Sequence, residues 1–184
     1  APVMLIIAFA ILVTMGRPVL FRQKRYGFNN DEFMVLKFRS MVRGDDAVGG
    51  EEIDPQSVLR QATRNDPRIT ALGRFLRRTS LDEWPQLLNV LGGSMSLVGP
   101  RPHAVSHNQH YAGLIDGYLG RHRVKPGITG WAQVNGLRGE TDTLDKMRHR
   151  VELDLHYIEN WSLGFDLKIL ALTVIEVGTG RSAY

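Results

Sequence analysis

The spacing of apolar positions changes along the chain, and each spacing predicts a different element. Pro2–Met15 (PVMLIIAFAILVTM) has no charge and no polar face. Crossing a bilayer takes ~20 apolar residues, so this run is too short to span one. Arg17 and a basic cluster follow it at once, which predicts a segment that dips into a membrane beside anionic lipid. A buried N-terminal core helix is the alternative. Val19–Arg22 and Phe33–Phe38 read as strands joined by a Gly/Asn-rich turn, a β-hairpin. Residues 43–57 are polar and Gly-rich and read as a loop. RITALGRFLRR is a short amphipathic helix with arginines on one face. MSLVG predicts a short strand, and KPGITG a turn at Pro126-Gly127. HAVSHNQHYAGLIDGYLGRH is weakly periodic and helical in part. Leu144, Met147, Val151, Leu155 and Ile158 recur at spacings of three and four, which predicts a helix. Asp154 falls beside that stripe rather than on its polar side, so it is paired or working. The last helix, Phe165 to Val177, has more apolar surface than a solvent face needs; it packs on the core or lies in a membrane interface. No internal repeat occurs. The fold class is α+β and helix-rich, with a membrane-dipping N-terminal helix, a β-hairpin and several amphipathic and interfacial helices.

Composition narrows this picture. At 184 residues and 43% hydrophobic content, the chain is one domain with enough apolar material for a core. It has no cysteine, which excludes disulfides and thiolate metal sites. Net charge is +4, and the excess is concentrated: Arg17, Arg22, Lys24, Arg25, Lys37, Arg39 and Arg43 crowd one region. Anionic lipid, nucleotide phosphate or nucleic acid would suit it, but aromatics near these residues are sparse, which argues against nucleic acid. The chain begins with Ala and is read as continuing upstream. Residues 1–16 would then be the second half of a re-entrant membrane helix, and 17–184 a catalytic domain.

Candidate chemistry centres on RRTSLDEWPQLLNVL, Arg77 to Leu91. Ser80-Leu81-Asp82-Glu83 fits a helix-capping box. Pro85, disfavoured inside a helix, fits equally well at a helix start. Either way Asp82 and Glu83 sit at or just before a helix N-terminus, where backbone N–H groups favour phosphate. The helix should end near Gly92-Gly93 in a left-handed cap. The pair can bind Mg²⁺ together with phosphate oxygens, or one carboxylate can attack phosphorus. Arg101, between Pro100 and Pro102, is pre-ordered for a bidentate phosphate clamp. Lys37 and Arg39 alternate about Phe38 on a strand and would share a face. Walker, G-x-G-x-x-G, G-x-S-x-G and H-E-x-x-H motifs are absent. His103, His107 and His110 read as a helix face rather than a metal site. A non-catalytic membrane-surface binding protein and a Mg²⁺ phosphohydrolase remain as rival classes.

KFRSM (37–41), RRTSLDEWPQLLNVLGGSMSLVGPRP (77–102), VKPGITGWAQVNG (124–136) and ELDLHYIENWSLGFDLKIL (152–170) together resemble the bacterial sugar transferases, the monotopic phosphoglycosyl transferases. LRGETDTLDKMRHRVELDLHYIENWSL further resembles the subgroup that transfers glucose-1-phosphate to undecaprenyl phosphate and starts exopolysaccharide repeat units. The resemblance implies that Asp82 attacks the β-phosphorus of a UDP-sugar, that a sugar-phosphoryl aspartate forms as UMP leaves, and that the lipid phosphate then accepts the sugar phosphate. It implies that Glu83 assists Mg²⁺ binding and that Arg101 grips the diphosphate. Lys37, Arg39 and Arg78 match basic positions near the site, and Asp154 a carboxylate near the metal. Local cations and a helix N-terminus are expected to keep Asp82 ionised. The implied setting is the cytoplasmic face of a bacterial inner membrane, with Pro2 at the bend of the re-entrant helix and phospholipid around it. Galactose or an acetamido sugar is the alternative donor.

Overall fold

The computed structural model describes residues 2–42, 66–139 and 143–179. The loop expected at 43–57 lies outside them. The fold is helix-rich α+β: α1 (Pro2–Met15), a hairpin of β1 (Leu20–Tyr26) and β2 (Glu32–Phe38), α2 (Ala71–Arg78), α3 (Gln86–Leu91), β3 (Ser96–Val98), α4 (Val105–Tyr111), β4 (Gly127–Thr129), α5 (Trp131–Val134), α6 (Leu144–Glu159) and α7 (Leu163–Thr179).

α1 is apolar on every side, and only part of it finds a partner. Ile7 and Ile11 pack with Phe38 and Leu76, while Leu5, Ile6, Phe9 and Val13 remain exposed. Gly16, at φ 69°, ends the helix in the left-handed conformation that glycine adopts without a Cβ clash. Among the described residues, no helix is long and apolar enough to cross a membrane.

The hairpin is antiparallel, from Leu20 opposite Phe38 to Tyr26 opposite Glu32. β1 runs on to Tyr26 rather than stopping at Arg22. In the polar run that hid this extension Gln23 and Arg25 are part-buried, and the exposed Lys24 meets Glu32 across the strands, Nζ to Oε2 at 3.0 Å. Asn29 and Asn30 make the turn at positive φ, which asparagine tolerates.

Gly73 of α2 lies against the end of β2: a Cβ there would come within 1.9 Å of the Ser40 carbonyl oxygen. Thr70 caps α2, its side chain accepting from the Gly73 N–H at 2.9 Å. The segment expected as a turn at Pro126-Gly127 is instead strand β4. It pairs in parallel with β3, Ser96 opposite Gly127 and Val98 opposite Thr129. The approach is so close that a Cβ on Gly127 would lie 2.1 Å from the Gly99 nitrogen, and this glycine requirement is what made the strand look like a turn.

The core is divided. Beside the α1 cluster, Ile115, Tyr118, Met147 and Val151 form a second, and Val98, Tyr157 and Ile169 a third. Burying each such side chain contributes ~1.5–3 kcal/mol. α6 therefore faces inward through Met147 and Val151, and it carries Arg150 and Asp154 inward on the same side. Leu144, expected on the stripe, is largely exposed.

Candidate active site

Asp82 and Glu83 lie on a 3-10 turn, Leu81–Glu83, between α2 and α3. Ser80 is not a helix cap: it is left-handed at φ 60°, and its side chain caps no backbone N–H. A helix running on from Ser80 would need the N–H that Pro85 lacks. The chain closes a tight turn instead, Glu83 N–H to Ser80 O at 3.2 Å and Trp84 N–H to Leu81 O at 3.2 Å, and α3 starts after Pro85. α3 ends at Gly92 and Gly93, the latter at φ 80°, as the sequence predicts. A left-handed non-glycine residue costs ~1–2 kcal/mol; here it frees the Ser80 hydroxyl to accept from Arg138 Nη2 at 2.5 Å. The turn directs both carboxylates inward, leaving Asp82 8% and Glu83 7% exposed.

The two acids have opposite surroundings. Lys37 Nζ donates to Glu83 Oε1 at 2.8 Å, and Arg101 forks onto the same carboxylate, Nη2 to Oε1 at 2.6 Å and Nη1 to Oε2 at 3.2 Å. Burial alone would raise the Glu83 pKa, but the Arg101 and Lys37 charges hold it well below the usual range. Burial also lowers the Lys37 pKa, against the pull of Glu83. Asp82 takes no hydrogen bond from a described residue; burial and then the Glu83 charge push its pKa up to about 6, opposed by Lys37, Arg77 and Arg101. The helix N-terminus expected to favour the ionised form of Asp82 is not beside it. α3 begins beyond the pair, and burial outweighs the cations.

Each cation is held by its own scaffold. Asn89 of α3 satisfies the free edge of β2, its Oδ1 accepting from Leu36 N–H at 3.0 Å and its Nδ2 donating to Met34 O at 2.7 Å. That pairing sets Lys37 against the turn. The Pro100-Arg101-Pro102 segment is braced on both sides: Arg121 Nη2 donates to Arg101 O at 2.8 Å, and Arg25 Nη1 to Pro102 O at 3.2 Å.

The structure does not bring every expected residue to this place. Arg39 donates to the carbonyls at the end of α1, Met15, Gly16 and Arg17, where a cation suits the helix terminus. β2 ends at Phe38, so strand alternation no longer holds Arg39 on the side of Lys37. Arg78 is exposed. Its neighbour Arg77 turns inward, Nε donating to Ser40 Oγ at 2.8 Å, and its charge acts on Asp82. The signal was present in the sequence: Arg77 is four residues after Gly73, on the buried face of α2. Asp154 is 2% exposed and bound to Arg121, Nε to Oδ2 at 3.1 Å and Nη2 to Oδ2 at 2.5 Å. Among the described residues, no group of three or more acidic or histidine side chains converges. Asp154 therefore does not complete a metal cage with Asp82 and Glu83, because α6 directs it into the core where Arg121 meets it. His103 precedes α4 and is buried, with its Nδ1 2.7 Å from the Tyr118 hydroxyl, so it is not part of a helix face. Arg121 and Arg138 carry no local signal in the sequence and Arg25 only that of the basic cluster, because the tertiary fold alone brings them here.

Chemically, the arrangement is a buried carboxylate that no described residue hydrogen-bonds, beside a second carboxylate that organises cations. It suits attack on a polyanionic phosphorus centre, where fixed cations offset the charge of the incoming group.

The family described as bacterial sugar transferase matches residues 1–180. The chain is 55% identical over 184 residues to the UDP-glucose:undecaprenyl-phosphate glucose-1-phosphate transferase of Escherichia coli (strain K12), covering 100% of this chain and 38% of that protein. A relative of the same name from Xanthomonas campestris pv. campestris is 54% identical over 183 residues, covering 100% of this chain and 36% of the relative. The exopolysaccharide production protein PSS of Rhizobium leguminosarum bv. phaseoli is 45% identical over 178 residues, 95% of this chain and 85% of that protein. The chain thus spans little more than a third of the length of the first two.

Proposed function

The chain belongs to the bacterial sugar transferase family, and on that premise we propose that it transfers glucose-1-phosphate from UDP-glucose to undecaprenyl phosphate through a covalent intermediate on Asp82, in exopolysaccharide synthesis. The observation that carries the reading is the contrast within the acidic pair. Glu83 is engaged by Lys37 and Arg101, while Asp82 takes no hydrogen bond from a described residue. A carboxylate so placed is available as a nucleophile.

A carboxylate oxygen of Asp82 attacks the β-phosphorus of the UDP-sugar. The new O–P bond forms as the bond from that phosphorus to the bridging oxygen breaks, and the electron pair leaves with UMP. The phosphate oxygen of the acceptor then attacks the same phosphorus. The Asp82 O–P bond breaks, and the carboxylate is regenerated as the lipid diphosphosugar departs. Arg101 and Lys37, fixed by Glu83, face the diphosphate as its charge shifts to the leaving group. Burial keeps water from the phosphoaspartate.

The donor set fits a magnesium ion bound by Asp82 with help from Glu83, since Mg²⁺ is usually held by one or two carboxylates plus substrate phosphates. Such an ion would neutralise charge on the diphosphate. Asp154, enclosed with Arg121, does not fit as a ligand.

We further propose that residues 1–16 are the second half of a re-entrant membrane helix and that residues 17–184 work at the cytoplasmic face of a bacterial inner membrane. The exposed Leu5, Ile6, Phe9 and Val13 of α1 and the exposed Leu163, Leu167 and Val174 of α7 support contact with phospholipid.

The test is Asp82→Asn in the full-length protein, assayed with UDP-glucose and undecaprenyl phosphate in membranes. Transfer and UMP release should fall by at least ~10³-fold with membrane binding unchanged; retained turnover refutes the nucleophile. UMP release without any polyprenyl phosphate, catalytic rather than stoichiometric, would favour a phosphohydrolase. A panel of UDP-sugars decides between glucose, galactose and acetamido donors.

A further inference from the structure

Next to the acidic pair lies a cavity of about 240 Å³. Trp84, Leu87, Leu97, Ile128, Leu170 and Val177 supply its apolar wall, and Glu83, Ser80 and Arg138 are at its polar end. Leu87 and Leu97 also reach the surface, 39% and 45% exposed, and α3 continues the apolar surface with Leu88 and Leu91. The cavity is therefore amphipathic.

We propose that this cavity seats the first isoprenoid units of the acceptor lipid, with Arg138 receiving the acceptor's phosphate beside Asp82. The inference rests on the function proposed above and assigns one substrate to one place. Most polar groups of the wall are already used: Thr129 Oγ1 and Thr173 Oγ1 pair at 2.7 Å, Ser80 Oγ accepts from Arg138, and Gln133 Nε2 donates to Ile128 O at 3.1 Å. A hexose buried here would leave most of its hydroxyls without partners, at ~1–3 kcal/mol each. An isoprenoid chain needs none. Gln133 Oε1, buried without a hydrogen-bond partner among the described residues, and Glu176 in the same wall are the groups that favour a sugar, so the donor is the occupant to test against.

Arg138 is suited to a phosphate because its guanidinium is already placed by Ser80 and needs little reordering. Glu83, Asp82 and Glu176 lie within its electrostatic reach, so a dianion arriving there needs this cation to offset them.

Two experiments on the full-length protein test the assignment. Leu97→Trp fills the mouth of the cavity from a half-exposed position. It should raise the KM for undecaprenyl phosphate at least ~10-fold while leaving stoichiometric UMP release from UDP-glucose, measured without acceptor, unchanged. Because this chain contains no cysteine, Leu97→Cys introduces its sole thiol, and any cysteines outside this chain are first removed. Undecaprenyl phosphate in phosphatidylglycerol vesicles should protect that thiol from maleimide, and UDP-glucose should not. Protection by UDP-glucose alone, or loss of UMP release in Leu97→Trp, assigns the cavity to the donor and overturns the proposal. No protection by either ligand also overturns it. Failure of the nucleophile reading would appear separately, as turnover in Asp82→Asn.

Discussion

Two buried acid–base clusters stand side by side here, and they are built to opposite ends. Around Asp154 the charge is paired. Its Oδ2 takes two bonds from Arg121, from Nε and Nη2; Nη2 also donates to the Arg101 carbonyl and Nη1 to His103 Nδ1, and both partners are 2% exposed. Around Asp82 the count is left open. Glu83 takes the bonds of Lys37 and Arg101, and its neighbour takes none from a described residue. A closed cluster fixes geometry, and an open one stores reactivity. The two are joined through Arg101: its side chain serves the open cluster, and its carbonyl is held by the closed one.

The largest expected effect comes from breaking the closed cluster. Asp154→Asn leaves Arg121 buried without a counter-charge, which costs about 3–5 kcal/mol, read as a lowered urea midpoint. Activity should fall with it as the Arg101 segment loosens. A buried ion pair adds little net stability over apolar residues of similar volume. Arg121→Met combined with Asp154→Leu should therefore recover much of what either single change loses. If Asp154→Asn unfolds like the parent yet is inactive, Asp154 belongs to the chemistry and the comparison fails.

The open cluster should respond in the other direction. Asp82→Asn removes a charge that burial disfavours, and we expect it to stabilise the metal-free protein by about 1–3 kcal/mol at pH 7.5. The sign follows from the pKa. Asp82 is raised from 3.8 to about 6, so the folded state carries a penalty in full above pH 6 and loses it as pH falls toward 4. The advantage of the variant in urea, measured with chelator present, should shrink over that interval. A destabilised variant at pH 7.5 would mean that Asp82 has a partner and that its cluster is closed too.

How far these clusters were legible in the sequence depended on what placed each residue. The hairpin, α2, α6, α7 and the glycine end of α3 follow from local pattern, because periodicity, turn residues and caps act within a few positions. β4 did not, since a parallel strand of three residues exists only through its partner β3. The acidic pair was legible as adjacent charges beside a proline, but its inequality was not. That arises from Lys37 on β2 and Arg101 beyond β3, both remote in sequence. The position of Asp154 beside an apolar stripe announced a buried carboxylate, and only the fold supplied Arg121 as its partner. The site therefore showed its acidic pair in the sequence and withheld the supports that make the two carboxylates unequal.

The smallest expected effect separates cations of the open cluster from those that merely border it. Arg77 and Arg78 are adjacent in sequence, yet one helical step of α2 sends them apart. Arg77 donates to Ser40 and acts on Asp82, and Arg78 is exposed. Arg78→Ala should change stability by no more than ~0.5 kcal/mol, as surface substitutions usually do, and should leave kcat/KM for UDP-glucose within about twofold. Arg77→Ala should lower kcat/KM by at least ~10-fold, because the cation acting on Asp82, the proposed nucleophile, is gone. Arg77→Lys should restore part of that loss, since charge is kept while the Ser40 contact is not. Equal losses in Arg77→Ala and Arg78→Ala would show that bulk positive charge, rather than a directed cation, prepares Asp82. The open cluster would then extend to the surface of α2 and no longer be a buried device.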